Sequence, residues 1–296
     1  MKKAFLFLMS IAILLTGCST GSMDASPASE SFSVMEDVVS SDSEAPLDAE
    51  SDGSSAKVDV DGVKIALLDT GISTKAIDAS HILPGYNYVT GTEDTEDQIN
   101  HGTAVASVIV GCESAKVTGI APEAYLIPLV IVTKQDGEAV SVSPEQLAQA
   151  IRDSIDIYQA DIINVSLGIR EDDPALREAI AYADKKGISV ISAVGNDGEG
   201  GRPYYPASYD TVLAVGSCDK NGEKSSFTQD DAQVLAPGEH IMLASRNGVP
   251  YGIRGTSFAT GYISAYAAKI LAEEPALTPE KLYRKIIEEA ESFGNV

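Results

Sequence analysis

The sequence predicts an α/β domain built on a mainly parallel central sheet with helices against both faces. Three observations lead there. From about residue 57 onward, short runs rich in Val, Ile, Leu and Ala alternate with longer segments of helical period. Several of these runs are apolar at every position, as strands covered on both faces are, whereas a strand with one wet face alternates. Pro144, Pro174 and Pro279 stand where a first helical turn accepts proline, and Gly187 stands where a helix would be closed.

In chain order, the first strand is expected over 63–68, ending at Asp69, Thr70 and Gly71, with a helix over 101–111 after it. A strand over 124–132 and a helix over 144–159 follow. Next come a strand over 161–166, a helix over 174–185, a strand over 188–193, one over 211–215 and a weaker one over 232–236. Helices over 256–272 and 279–289 complete the set. Residues 57–296 fit one domain of this kind, and no internal repeat interrupts it.

Composition narrows the function. The 296 residues carry 44 acidic against 21 basic side chains, a net charge of −23. An acidic surface repels a phosphate backbone, so nucleic acid is not an expected partner. A hydrophobic content of 44% excludes a wholly disordered chain. Histidine occurs only at 81, 101 and 240, which leaves three candidates for an imidazole base and no basis for a histidine-rich metal centre.

The N-terminus has the layout of an export signal: Lys2 and Lys3 precede an apolar stretch over 4–15 that is too short to span a bilayer. Leu15, Thr16, Gly17 and Cys18 resemble the lipobox of bacterial lipoproteins. That resemblance implies a signal peptide over 1–17, lipidation of Cys18 and a protein held at the cell envelope, facing outside the cytoplasm. An ordinary secretion signal or an uncleaved anchor gives the same side of the membrane. Residues 18–56 read as a disordered linker: the stretch from 19 to 56 holds twelve Ser, nine Asp or Glu and no Lys or Arg. Such a segment buries too little apolar surface to offset its ordering entropy. It is either a spacer or a short prosegment, with Phe32, Val34, Val38 and Val39 as the residues able to dock. The domain after it keeps 35 acidic and 19 basic residues, a net −16.

Functional residues of an open α/β sheet gather at the carboxyl ends of strands and the starts of the following helices. Asp69, His101 and Ser257 fall there. They are the types that acyl transfer needs, since a serine hydroxyl is a poor nucleophile until an imidazole takes its proton, and a carboxylate fixes the tautomer and stabilises the imidazolium. Each also has a plainer role open to it, as turn cap, helix-start residue or buried hydroxyl, and spacing does not show that they converge.

Local motifs carry more. DTGI at 69–72, HGTAVAS at 101–107 and GTSFATG at 255–261 resemble, in the same order, the active-site blocks of subtilisin-like serine proteases. ISAVGND at 191–197 resembles the block holding the oxyanion-hole asparagine, here Asn196. NVSLG at 164–168 resembles the strand lining the substrate cleft, and 204–217 resembles the segment behind the primary pocket. The resemblance implies a subtilisin-like three-layer fold and a serine endopeptidase with Asp69, His101 and Ser257 as its triad. It also implies a primary pocket between Ser166, Leu167 and Gly168 on one wall and Ala193, Val194 and Gly195 on the other, with Asp197 near its rim. No cofactor is required for the chemistry. Structural calcium is common in the family, and Glu93, Asp94, Glu96 and Asp97 in the 91–100 loop are either its ligands or a solvated acidic face; the metal content stays unknown.

The chain departs from the family where Gly261 and Tyr262 replace a usual Pro-His pair, which is expected to loosen the helix after Ser257 by up to about 1 kcal/mol. It also lacks a prodomain of the usual kind between Cys18 and the domain. Cys112 and Cys218 are expected as buried free thiols, a disulfide being allowed by export but not readable. Partners are a peptide or protein substrate and, through Cys18, the membrane, with a monomer favoured. The competing reading is an inactive subtilisin-like lipoprotein that binds peptides; a purely structural envelope lipoprotein leaves the motifs unexplained.

Overall fold

The computed structural model describes residues 61–293 and, outside them, only the backbone of Phe5–Leu6, a two-residue strand alongside Val234 and Leu235. The expected signal peptide over 1–17, Cys18 and the linker over 18–56, with its Phe32 and valine patch, otherwise lie outside the described residues.

Seven strands of the domain form a parallel sheet: β1 (Lys64–Asp69), β2 (Tyr86–Asn87), β3 (Tyr125–Val130), β4 (Ile162–Val165), β5 (Ser189–Ala193), β6 (Leu213–Cys218) and β7 (Val234–Pro237). Their order across the sheet is β7-β6-β5-β4-β1-β3-β2. The order reverses direction beside β1: β3 and β2 lie on one side, and β4 to β7 on the other. A crevice opens at the carboxyl ends where such a reversal occurs. Asp69 closes β1 and Ser166 follows β4, so both flank it.

Strand periodicity divides the core. Ile65 and Leu67 of β1 face one layer, with α1 (Gly102–Val110), α4 (Thr256–Glu273) and α5 (Pro279–Phe293); Ala66 and Leu68 face the other, with α2 (Pro144–Asp156) and α3 (Pro174–Lys186). Burying both faces explains why these strands are apolar throughout, each fully buried Leu or Ile being worth roughly 1.5–3 kcal/mol. All nine residues of α1 are buried, which identifies it as an internal helix rather than an amphipathic cover. Local signals fix the outer helices. Ser143 and Gln146 form a reciprocal capping box before α2, Asp173 caps α3, and Gly187 closes α3 in the left-handed conformation at φ 75°.

Several expectations need correction. The run over 124–132 is two elements, because the chain leaves the sheet after Val130 and enters a hairpin of Val132–Gln135 with Glu138–Ser141. The strand expected over 211–215 begins at Leu213 and continues to Cys218; α2 stops at Asp156, and Gln159 takes φ 52° in the turn beyond it. A second hairpin, Ile241–Ala244 with Pro250–Ile253, was not anticipated. Cys112 and Cys218 are buried free thiols, as expected, and burial pushes the Cys218 thiol up to about 12. Gly261 does not act as a loosening point. It is buried where α4 crosses α1, and a Cβ there would meet Val105 Cγ1 at 2.8 Å, so the missing side chain lets the two helices approach.

Candidate active site

The three histidines separate at once. His240 is 83% exposed beside Glu239, and His81 contacts the Ala124 carbonyl away from the crevice. His101 precedes α1, and its Nδ1 lies 2.7 Å from Asp69 Oδ1. Asp69 is fully buried at the end of β1; its Oδ1 also accepts from the Thr70 N–H at 2.7 Å, while Oδ2 is buried without a hydrogen-bond partner. A buried carboxylate this poorly compensated favours a positive neighbour. Burial alone pushes the imidazole of His101 down, but the charge and hydrogen bond of Asp69, with the charge of Asp97 added, outweigh it and leave His101 above the ordinary histidine value.

The pair is held by Asp97, whose importance the acidic run around it conceals. Rather than a solvated residue or a metal ligand, Asp97 is fully buried. Its Oδ1 accepts from Thr70 Oγ1 and from the N–H groups of Ile99 and Asn100; its Oδ2 accepts from the N–H and Oγ1 of Thr103. Thr70 Oγ1 in turn accepts from the Gly102 N–H at 2.8 Å. One carboxylate thereby ties the end of β1 to the start of α1, where the helix dipole also favours a negative charge. Asn100, at φ 92°, makes the sharp entry into His101. Gly102 has no room for a side chain: a Cβ would lie 2.2 Å from the Gly71 carbonyl oxygen.

Glu96 is taken up by Ser73 Oγ at 2.5 Å, and Glu93 and Asp94 are exposed. Among the described residues no group of three or more His, Cys, Asp or Glu side chains is placed as metal ligands would be. The 91–100 loop therefore does not fit a calcium cage: its buried carboxylate is already saturated by protein donors.

Ser257 stands in the first turn of α4, only 3% exposed. The next side chain, Phe258, packs against the imidazole with ring centroids 5.2 Å apart, which brings the start of α4 to the start of α1. In this structure Ser257 Oγ donates to the Ser166 carbonyl at 2.9 Å. A buried chain backs that contact: Ser264 Oγ donates to Asn164 Oδ1, and Asn164 Nδ2 to Ser166 Oγ. It fastens α4 to β4. Asn196 follows β5, and its Oδ1 accepts from the Thr256 N–H at 3.0 Å and from Thr256 Oγ1 at 3.1 Å. A backbone N–H only donates, so these contacts fix the amide orientation and turn Nδ2 to the opposite side, as a donor. The Ser257 N–H belongs to the first helical turn, whose amides have no intrahelical acceptor.

The residues expected as pocket walls lie at and just beyond the carboxyl ends of β4 and β5. Leu167 is buried in the core layer of α2 and α3, and Val194 in a cluster with Ala207, Ala214 and Cys218, so these two offer the crevice only backbone. Asp197 is engaged by Arg170, Tyr204 and Gln229. The residues missed were Asp97, Tyr204 and Arg170. Of these, Tyr204 had a signal: it opens the 204–217 stretch that resembles the segment behind the primary pocket.

Comparison with known proteins decides the family: the Subtilase family model matches residues 60–295. The chain is a subtilase. Subtilisin DY of Bacillus licheniformis is 30% identical over 239 residues, covering 79% of this chain and 85% of its own. The major intracellular serine protease of Bacillus subtilis is 34% identical over 246 residues, covering 79% and 74%. Among solved structures, Sphericase superposes with a TM-score of 0.68 at 28% identity, covering 77% of this chain and 82% of that one. The maturation protease PagA superposes with a TM-score of 0.63 at 31% identity, covering 77% and 82%. The subtilase is accordingly an α/β enzyme of the serine endopeptidase type, acting on peptide or protein substrates.

Proposed function

We propose that this subtilase cuts peptide bonds through Asp69, His101 and Ser257, with Asn196 and the Ser257 N–H receiving the oxyanion, and that it does so as a lipid-anchored enzyme at the cell envelope. The observation carrying the reading is the 2.7 Å contact between His101 Nδ1 and buried Asp69, with the start of α4 packed on the same imidazole. With Nδ1–H directed to Asp69, Nε2 is the basic nitrogen. Ser257 Oγ attacks the carbonyl carbon as its proton passes to Nε2, and negative charge moves to the carbonyl oxygen, toward Asn196 Nδ2. When the tetrahedral intermediate collapses, the C–N bond breaks and Nε2 returns the proton to the leaving amine. Water then repeats the sequence on the acyl-enzyme. A serine-directed fluorophosphonate tests this: it labels the wild-type protein and not Ser257→Ala. Equal labelling of both removes Ser257 as the nucleophile.

The lipobox-like run before Cys18 and the acidic linker over 18–56 support anchoring. Metabolic labelling with a fatty-acid analogue, lost in Cys18→Ala, checks it; a wild-type protein that incorporates no analogue refutes it. One observation favours the second reading, a peptide binder that does not cut: Ser257 Oγ donates to the Ser166 carbonyl. Catalytic hydrogen bonds commonly form only with substrate bound, and a single χ1 rotation redirects the hydroxyl. A well-folded wild-type protein that resists the fluorophosphonate decides for the binder.

A further inference from the structure

We propose that Tyr204 fills the primary pocket of this subtilase, so that the residue on the acyl side of the cut bond must be small: Gly, Ala or Ser. The proposal rests on the serine endopeptidase reading above and specifies the substrate class. Adjacent strands β4 and β5 run in register up to Val165 and Ser192. Beyond them the chain separates into two walls, Ser166 to Ile169 and Val194 to Asp197, and the gap between the walls is where a side chain of an extended substrate would enter. The segment after Gly201 closes that gap. Its backbone joins both walls: the Tyr204 N–H donates to the Val194 carbonyl at 3.0 Å, and Ile169 and Tyr205 exchange two hydrogen bonds of 2.9 Å.

The Tyr204 side chain lies between those attachments. It is 4% exposed, its Cβ would be only 2.9 Å from a Cβ built on Gly168, and its hydroxyl donates to Asp197 Oδ2 at 2.7 Å. The ring therefore extends from the inner wall at Gly168 to the rim at Asp197. Arg170 covers it, with its guanidinium carbon 5.0 Å from the ring centroid and Nη1 3.1 Å from Asp197 Oδ2. Two consequences follow for recognition. A large aromatic or aliphatic substrate side chain competes with a ring fastened at both ends. A basic substrate residue gains little from Asp197, whose charge Arg170 already answers.

The test is a peptide series differing only in the residue before the scissile bond, with kcat/KM measured for Gly, Ala, Ser, Leu and Phe, and fluorophosphonate labelling recorded in parallel. The wild type is expected to favour Ala over Phe by at least about tenfold, the scale on which a pocket rejects added bulk. Tyr204→Gly is expected to raise the Phe-to-Ala ratio at least about tenfold, while Tyr204→Phe, which keeps the ring, leaves it near wild type. Tyr204→Leu retains a buried apolar side chain and supplies the same comparison where the glycine variant does not fold, with a smaller rise. A labelled wild-type enzyme that prefers Leu or Phe overturns the proposal alone. So does a folded Gly or Leu variant whose ratio is unmoved. A folded wild type that takes no label removes the endopeptidase reading and this proposal with it.

Discussion

Replacing Asp97 by Asn keeps the shape of the side chain and removes its charge. Oδ1 still accepts from Thr70 Oγ1 and the N–H groups of Ile99 and Asn100, but an amide nitrogen now faces the Thr103 N–H. The Thr103 hydroxyl escapes by accepting from that amide; the backbone N–H has no such freedom and is left buried and unpaired. A stranded buried donor costs about 1–3 kcal/mol, and the remaining bonds fall from charged to neutral strength, so roughly 3 kcal/mol is expected in all. In a domain of this size that lowers the melting temperature by about 6–12 °C. The comparison belongs in a Ser257→Ala background, where self-cleavage does not distort melting. A second readout separates positioning from simple packing. Asp97 raises His101, so removing its charge lowers the imidazole and shifts the acid limb of the pH-activity profile to lower pH. A melting temperature within 2 °C of the parent (roughly half a kcal/mol), or an acid limb that stays in place or moves up, refutes the role assigned to Asp97.

Four further outcomes are expected. The acid limb of kcat/KM lies above the ordinary histidine value of about 6.5, because neutral His101 is required and its folded-state value is raised. The stabilising contribution of the His101–Asp69 pair has the opposite dependence, being full below the unfolded value and lost as pH rises through the folded one, so Ser257→Ala should lose that increment across the window in which the active enzyme gains activity. Gly261→Ala gains up to about 1 kcal/mol of helix propensity but forces a Cβ onto Val105 Cγ1, an overpacking cost of about 1–3 kcal/mol. Net destabilisation is expected by urea unfolding, with Val105→Ala restoring stability in the double variant. Asn196→Ala should cost about 10²-fold or more in kcat with little change in KM, a scale that comes from this very asparagine position in subtilisin and not from the present structure; a loss confined to KM argues against an oxyanion role.

The sheet and the helices over 102–110, 144–156, 174–186, 256–273 and 279–293 were legible because short-range chemistry sets them: strands apolar on both faces, prolines in first turns, a glycine where a helix must end. The meeting of Asp69 with His101 was implied only by the resemblance of the motifs around them. What the sequence concealed are long-range pairings whose local context misleads. Asp97 sits among Glu93, Asp94 and Glu96 and looks solvated, yet it lies under α1 because Thr70, thirty residues before Asn100, supplies a hydroxyl from another element. Gly261 looks like a weak point in a helix until Val105 is placed opposite it. The resemblance of 204–217 placed Tyr204 in the segment behind the primary pocket, but only the bonds of that segment to the chain beyond β4 and β5 show where its ring lies. The break after Val130 was hidden because Ile131 and Val132 prolong the apolar run while the chain changes direction.

The common direction of the seven strands also sets where the chain enters the domain relative to the crevice. Every strand presents its carboxyl end to the crevice and its amino end to the opposite pole. The chain enters the domain at that far pole, since residue 61 leads into Lys64, and β1 carries it about 16 Å before Asp69 is reached. Under the anchoring proposed above, the tether would join the domain at the pole opposite the crevice, leaving the mouth of the cleft clear of the attachment point.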